Sequence, residues 1–462
     1  MKIIKYAIFM VVLTVLSCME KEQKFEYAII TGKFTNTKGG ELTIQSSSGF
    51  KRAVRIRDDG SLADTLDIAD GYYIIRYGKV GSGLYIEKGS LINITADETN
   101  FIESLAFSGD YSELNNYYAE RSRVDYKFRH GIKEYCEKEE NEFVNLILSD
   151  KKLLEDKFEL VSYVPHEIKV KEKRHLVYNY LEKKYMYKTF YHSKFAGKED
   201  YVASENFMKD LKEIPVDRPE DYQYSSAYSY LINVLIIDPK AYQIYEEDSS
   251  NNFLSAYNKS VLQLENVTLR DLVIFDYVRG TLPEVKDKKV VYDNFIKITS
   301  NTETKNKITE LYNYVLRLEP GKPSPLFENY ENYSGGTMSL ESLRGTYVYI
   351  DVWATWCKPC IREIPFLQEI EKKYRGKNIE FVSISIDNKK DYNNWKKMVD
   401  EKQMSGTQLF ADRAYNSDFI KAYKISGIPQ FILIDPQGNI VSSNAPKPSD
   451  NKLIDLFNGL NI

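Results

Sequence analysis

Two cysteines three residues apart, Cys357 and Cys360, are the side chains in this 462-residue sequence whose type and spacing best suit chemistry. Two thiols so placed can exchange with a disulfide, or can hold a soft metal ion if a further ligand lies near. With four cysteines in the chain, such a spacing arises by accident in about 3 % of cases, so context must supply the specificity. The surrounding pattern places the pair between two elements. The apolar run from about Thr346 to Trp353 reads as a strand, and the residues from the pair to about Tyr374 read as a helix. The pair therefore falls where a strand hands over to a helix. A helix N-terminus presents unpaired N–H groups and a partial positive charge, which favour thiolate over thiol. Such placement lowers a cysteine pKa from about 8.5 to roughly 3.5–7.5. Cys357 is then a competent nucleophile, and Cys360, one turn on, is placed to attack a mixed disulfide.

The string Asp351-Val352-Trp353-Ala354-Thr355-Trp356-Cys357-Lys358-Pro359-Cys360 resembles the thioredoxin active site. Glu363-Ile364-Pro365 resembles the TlpA/ResA-like branch of thiol-disulfide oxidoreductases, and the resemblance runs over residues 321–462, including Gly427-Ile428-Pro429 and Ala445-Pro446-Lys447-Pro448. It implies that Cys357 attacks, that Cys360 resolves, and that the two form a redox-active disulfide. It implies that Asp351 is a buried carboxylate assisting proton transfer at the resolving thiol, with a pKa raised by desolvation. A strand-end Asp facing solvent is the plain alternative. Glu363 matches the acidic residue that ResA-like proteins place near the pair, although a solvated helix Glu would look the same. Carrying both Asp351 and Glu363 departs from members that carry only one. Pro429 matches the cis-proline loop, where the backbone of Ile428 pairs with an extended substrate; an ordinary trans turn is the alternative. Trp356 packs beside the site and shields it. Pro359 suits the first turn of the helix, and Pro365 is expected to kink it.

No cofactor or metal is expected. His130, His166, His175 and His192 all precede the run Glu319-Pro320-Gly321-Lys322-Pro323-Ser324-Pro325, so the Cys pair has no histidine near it in sequence. Ala354 stands where a peroxiredoxin-like pattern has Thr. The remaining thiol, Cys136, lies between Glu134 and Glu137, whose charges should raise its pKa, and reads as a passive, partly buried side chain.

The elements that position the pair belong to a chain too long for one core, which predicts a multidomain protein. Eleven of the 23 glycines fall between Gly32 and Gly109, three between residues 110 and 320, and nine after. The first zone, 25–109, alternates runs such as Leu42-Thr43-Ile44 with turns at Asp59-Gly60 and Asp70-Gly71, the pattern of an antiparallel β-sandwich. It loosely resembles the β-rich module that precedes thioredoxin domains in Bacteroidetes-type lipoproteins, in Asp59-Gly60, Gly71-Tyr72-Tyr73 and Leu84-Tyr85-Ile86-Glu87-Lys88-Gly89. The second zone, 110–318, is expected to be all α-helical. Phe143, Leu146, Ile147, Leu153, Leu154 and Phe158 recur at helical spacing, and Pro165, Pro215, Pro219, Pro239 and Pro283 mark breaks. The segment 319–325, with three prolines in six residues, reads as an extended, stiff linker. Residues 326–462 read as an α/β thioredoxin fold.

Residues 1–17 combine Lys2 and Lys5 with an apolar run from Tyr6 to Leu16, which fits a secretory signal and is too short for a membrane span. Val15-Leu16-Ser17-Cys18 resembles the bacterial lipobox, which implies lipidation of Cys18, a tether over 18–24 and folded domains held in the cell envelope. A conventional signal peptide is the alternative. The net charge of -4, with both signs interspersed, gives no nucleic-acid footprint, and the 37 tyrosines are scattered. The expected partners are envelope proteins carrying thiols or disulfides and, for a reductase, a membrane thiol electron donor. The competing class is a partner-binding lipoprotein with an accessory redox domain.

Overall fold

In the computed structural model, which describes residues 26–462 apart from 38, 47–48, 248–252 and 426, the chain forms two compact units dividing between Ile274 and Phe275. The expected signal segment 1–17, Cys18 and the expected tether 18–24 lie outside the described residues. Among the described residues, no helix is long and apolar enough to cross a membrane.

The first unit begins with eight strands: β1 (Ala28–Thr35), β2 (Gly40–Gln45), β3 (Lys51–Ile56), β4 (Ser61–Leu66), β5 (Gly71–Tyr77), β6 (Val80–Ile86), β7 (Leu91–Asp97) and β8 (Ala106–Gly109). They form two sheets of order β4-β1-β7-β8 and β3-β2-β5-β6. Period-two burial is plain in β7, where Ile92, Ile94 and Ala96 are buried and Leu91 and Thr95 are exposed. Buried residues of both sheets join one hydrophobic cluster. The expectation of wholly antiparallel pairing fails at one place, because β1 and β7 run parallel. Parallel neighbours need a long connection, and here the intervening chain builds β4 and the whole second sheet. At the turn before β4, Gly60 has φ +82, and a Cβ there would stand 2.0 Å from the Phe34 carbonyl oxygen, so glycine is required.

Helices follow, beginning with α1 (Ser112–His130), α2 (Glu140–Glu159) and α3 (His166–Met186). On α2 the expected apolar face is narrower than the sequence pattern. Phe143, Ile147, Leu154 and Phe158 are buried, whereas Leu146 and Leu153 are exposed. Of the expected proline breaks, Pro165 and Pro219 sit at helix starts and Pro283 follows a helix end. Pro239 breaks nothing. The helical path continues from Ser226 to Glu247 through a π-turn at Asn233–Ile237, and the wider turn relieves the clash and missing N–H that proline brings to an α-helix. The tyrosines also have a use here. Arg121 and Glu172 form a buried ion pair at 2.5 Å, Tyr117 and Tyr224 each donate to Glu172 at 2.6 Å, and Arg121 donates to the Tyr72 hydroxyl at 2.7 Å. Cys136 is fully buried, and its thiol pKa is pushed up to about 12 by burial, the cause being desolvation in place of the expected acidic neighbours.

The second unit contains α4 (Lys288–Ile298) and α5 (Thr302–Arg317), then β9 (Tyr330–Asn332), β10 (Thr337–Met338), β11 (Tyr347–Trp353), α6 (Lys358–Lys373), β12 (Ile379–Ser385), α7 (Tyr392–Glu401), β13 (Thr407–Phe410), β14 (Gln430–Ile434), β15 (Ile440–Ser442) and α8 (Lys452–Gly459). The sheet order is β10-β9-β13-β12-β11-β14-β15, with β11 parallel to β12 and antiparallel to β14. Residues 319–325 depart from the expected extended linker: they open with a turn, in which Lys322 N–H donates to Glu319 O at 3.1 Å and Gly321 has φ +82, and they are docked. Gly321 N–H donates to Ile440 O at 2.7 Å, Ser324 N–H donates to Gly438 O at 3.0 Å, and Pro323 bridges to Asn439. The hydroxyls of Ser324 and Tyr423, both buried, lie 2.7 Å apart. Prolines at 320, 323 and 325 leave the intervening residues free to pair with the β14–β15 hairpin.

Candidate active site

β11 is the strand on which the site is built. It is flanked on both edges and buried along its length, and its sequence is accordingly a nearly continuous apolar run broken only by Asp351. Val348, Ile350 and Val352 point to one core cluster; Tyr349 points to the opposite one, with Leu367 and Ile370 of α6. Side chains alternate along a strand, so Asp351 shares the face of Tyr349 and lies on the side covered by α6. It is 6 % exposed. Burial, and secondarily the carboxylates of Glu371 and Glu363, push its pKa up to about 8.

After β11 the chain turns sharply. Cys357 N–H donates to Ala354 O at 3.0 Å, and α6 starts at Lys358 with Pro359 in its first turn, where a proline removes no helical hydrogen bond. Cys357 is the N-cap residue, and its Sγ accepts from Cys360 N–H at 3.2 Å. That contact sets the sulfur against an unpaired amide and the positive end of a 16-residue helix. Cys357 and Cys360 are joined by a disulfide, with Cα atoms 5.3 Å apart. On the other side the Ile428 carbonyl oxygen lies 3.7 Å from Cys357 Sγ, and the Ile428–Pro429 peptide bond is cis. Among the described residues, no group of three or more His, Cys, Asp or Glu side chains is arranged to hold a metal ion.

A family model described as thioredoxin-like matches residues 345–440. The thiol-disulfide oxidoreductase ResA of Bacillus thuringiensis subsp. konkukian is 29 % identical over 126 residues, covering 27 % of this chain and 69 % of the relative. ResA of Bacillus subtilis is 25 % identical over 142 residues, covering 30 % of this chain and 75 % of the relative. The structure of a thiol-disulfide oxidoreductase from Bacteroides fragilis is 28 % identical, covers 29 % of this chain and 99 % of that one, and gives a TM-score of 0.26. The C-terminal domain is thioredoxin-like and similar to ResA-type thiol-disulfide oxidoreductases.

Within this oxidoreductase domain the seven residues singled out from sequence do not all meet. Cys357, Cys360, Ile428 and Pro429 converge, Asp351 lies on the side of β11 that α6 covers, and Trp356 is 53 % exposed beside Cys357, its ring 6.5 Å from that of Tyr415. Glu363 is engaged elsewhere as well. Its carboxylate accepts from Ser449 N–H and Ser449 Oγ, both at 3.0 Å, and Lys447 lies 3.5 Å away. The segment after β15 is thereby tied to α6. Pro365 lies inside α6 without ending it.

Two further carboxylates escaped the sequence reading. Glu371 of α6 is half-buried, its pKa is raised by burial, and Ser405 Oγ donates to it. Its place in the helical row that also holds Leu367 and Ile370 was the available signal. Asp387, just beyond β12, is 1 % exposed. It accepts from Thr355 N–H at 2.9 Å, Thr355 Oγ at 2.7 Å and Ser385 Oγ at 2.7 Å. Burial raises its pKa against the opposing pull of these donors. A lone Asp at a strand end carries no period, so nothing in the sequence separated it from a turn residue.

Proposed function

We propose that this domain exchanges disulfides with envelope proteins through Cys357 and Cys360 and works as a reductase. The observation that carries the reading is the Cys357–Cys360 disulfide at the start of α6, with Asp351 on the α6-covered face of β11 and the Ile428 carbonyl in front. In the reduced protein the Cys357 thiolate attacks one sulfur of a client disulfide. A Cys357–client bond forms, and the client's second sulfur leaves and takes up a proton. Asp351 then accepts the Cys360 proton, and Cys360 attacks Cys357, so the client departs as a dithiol and the Cys357–Cys360 disulfide remains. Two electrons have passed to the client. A carboxyl with a pKa of about 8 suits proton exchange with a thiol near neutral pH. Ile428 supports client binding, since its carbonyl is positioned to pair with an extended backbone, and Trp356 offers an apolar contact beside the attacking sulfur. Glu363 acts through the field it adds at Asp351.

A membrane thiol donor would return the pair to the dithiol. The signal-like segment and the lipobox-like Val15-Leu16-Ser17-Cys18 support lipidation at Cys18 and an extracytoplasmic setting. The test is Cys360→Ala in the whole chain. Clients should accumulate as mixed disulfides on Cys357, released by dithiothreitol, and Cys357→Ser added to the same chain should abolish them. Recovery of the same set without Cys357 would refute the proposal.

A further inference from the structure

The corner between β11 and α6 is held from behind by a charge that the exchange mechanism does not use. Asp387 is 1 % exposed, and each donor that reaches it comes from Thr355 or Ser385. Thr355 N–H straddles both carboxylate oxygens, at 3.1 and 2.9 Å, while its hydroxyl donates at 2.7 Å. Ser385 Oγ donates to Oδ2 at 2.7 Å and accepts from Asp387 N–H at 3.1 Å. Ile386 N–H donates to Trp353 O at 2.9 Å, so the end of β12 grips the exit of β11 at two successive residues. The loop so gripped is short. Thr355 lies inside the turn closed by Cys357 N–H to Ala354 O, two residues before the attacking sulfur.

The surroundings suit a charge. Thr355 N–H can only donate to the Asp387 carboxylate, and the Thr355 and Ser385 hydroxyls can donate as well, which together supply the ionised form with three hydrogen-bond donors. Among the described residues no cation pairs with it, and the nearby Asp391 adds to the negative field. On the α6 side of β11 lies Asp351, which feels the carboxylates of Glu371 and Glu363, and Lys358 follows Cys357 in the chain. A buried, unpaired anion is weakly screened. It opposes the build-up of negative charge on Cys357, against the pull of the helix N-terminus.

We propose that Asp387 is a positioning residue that fixes the Cys357 loop through Thr355, and that its buried charge biases the pair toward the disulfide, which makes the domain a stronger reductant. The proposal rests on the exchange reading above and supplies its direction. In the balanced equilibrium, protein disulfide plus two glutathione thiols gives protein dithiol plus glutathione disulfide. The thiolate fraction of Cys357 belongs to the right-hand side. An anion behind the loop disfavours that side, and its removal favours it.

The test measures that equilibrium at pH 8 on the whole chain, together with the Cys357 thiol pKa followed by thiolate absorbance. Asp387→Asn keeps the shape and discards the charge. It should move the constant about tenfold toward the dithiol, close to 30 mV for a two-electron couple, and lower the Cys357 pKa. Asp387→Ser, smaller and also uncharged, should move both in the same direction and carries the test if the Asn variant does not fold. Ser385→Ala removes one donor and leaves the charge, so it should stay within twofold of the natural protein even if its melting temperature falls. A role confined to structure would lower the melting temperature in all three and move neither constant nor pKa. An unchanged constant in both uncharged variants, or a shift toward the disulfide, overturns the proposal. A natural chain that does not equilibrate with glutathione at all would overturn the exchange reading itself.

Discussion

Replacing Asp351 by Asn should make the second unit more stable, by an amount that depends on pH. The carboxyl is 6 % exposed, and its pKa rises from an ordinary 3.8 to about 8 through burial and the carboxylates of Glu371 and Glu363. Between those two values the folded protein keeps a proton that the unfolded chain has already lost. Stability from this group is therefore complete below about pH 4, falls as pH rises, and is fully lost above about pH 8. The slope is about 1.4 kcal/mol per pH unit, which reaches about 4 kcal/mol at pH 7. Asparagine has no such titration. The difference between variant and natural protein should thus be near its minimum at pH 4, grow steadily to pH 8 and then level off, whatever constant offset the amide introduces. Urea unfolding of the oxidised chain, followed by tryptophan fluorescence, isolates the effect, because all three tryptophans, Trp353, Trp356 and Trp395, lie in the second unit. A difference that does not change with pH would refute the raised pKa and, with it, Asp351 as the proton acceptor.

Glu172→Gln leaves Arg121 buried without its counter-charge and should destabilise the first unit by about 3–5 kcal/mol, seen as an earlier urea transition by circular dichroism; a loss under about 1 kcal/mol would contradict the paired burial. Ser324→Ala leaves the buried Tyr423 hydroxyl short of a partner and should lower the stability of the second unit by about 1–3 kcal/mol in the same fluorescence assay. No loss would mean that residues 319–325 are not docked on that unit.

What could be read from the sequence followed the strength of local signals. The run Tyr347–Trp353 has one residue type that a buried strand does not normally tolerate, Asp351, so its placement and its altered chemistry were both legible. The Cys pair was legible because a continuous apolar strand run ends at Trp353 and a helical pattern begins at Lys358. The docking of 319–325 was hidden, because prolines announce extension and say nothing of which edge an extended segment joins. The parallel β1–β7 pairing was hidden for a related reason: alternation fixes which face a strand buries and leaves its direction open. Leu146 and Leu153 match the helical period as well as Phe143 and Leu154 do, so only the packing of α2 distinguishes them. Asp387 and Glu371 matter through partners far away in sequence, Thr355 and Asp351, and no local pattern joins such pairs.

The central claim is that Cys357 and Cys360 carry electrons to client disulfides. The most direct measurement is the reduction of insulin by the whole chain with dithiothreitol as electron source, compared with Cys357→Ser and Cys360→Ser. The account predicts that the natural chain accelerates precipitation of the insulin B chain at least tenfold over dithiothreitol alone and that both variants fall to the background rate. Equal rates in all three proteins would contradict it.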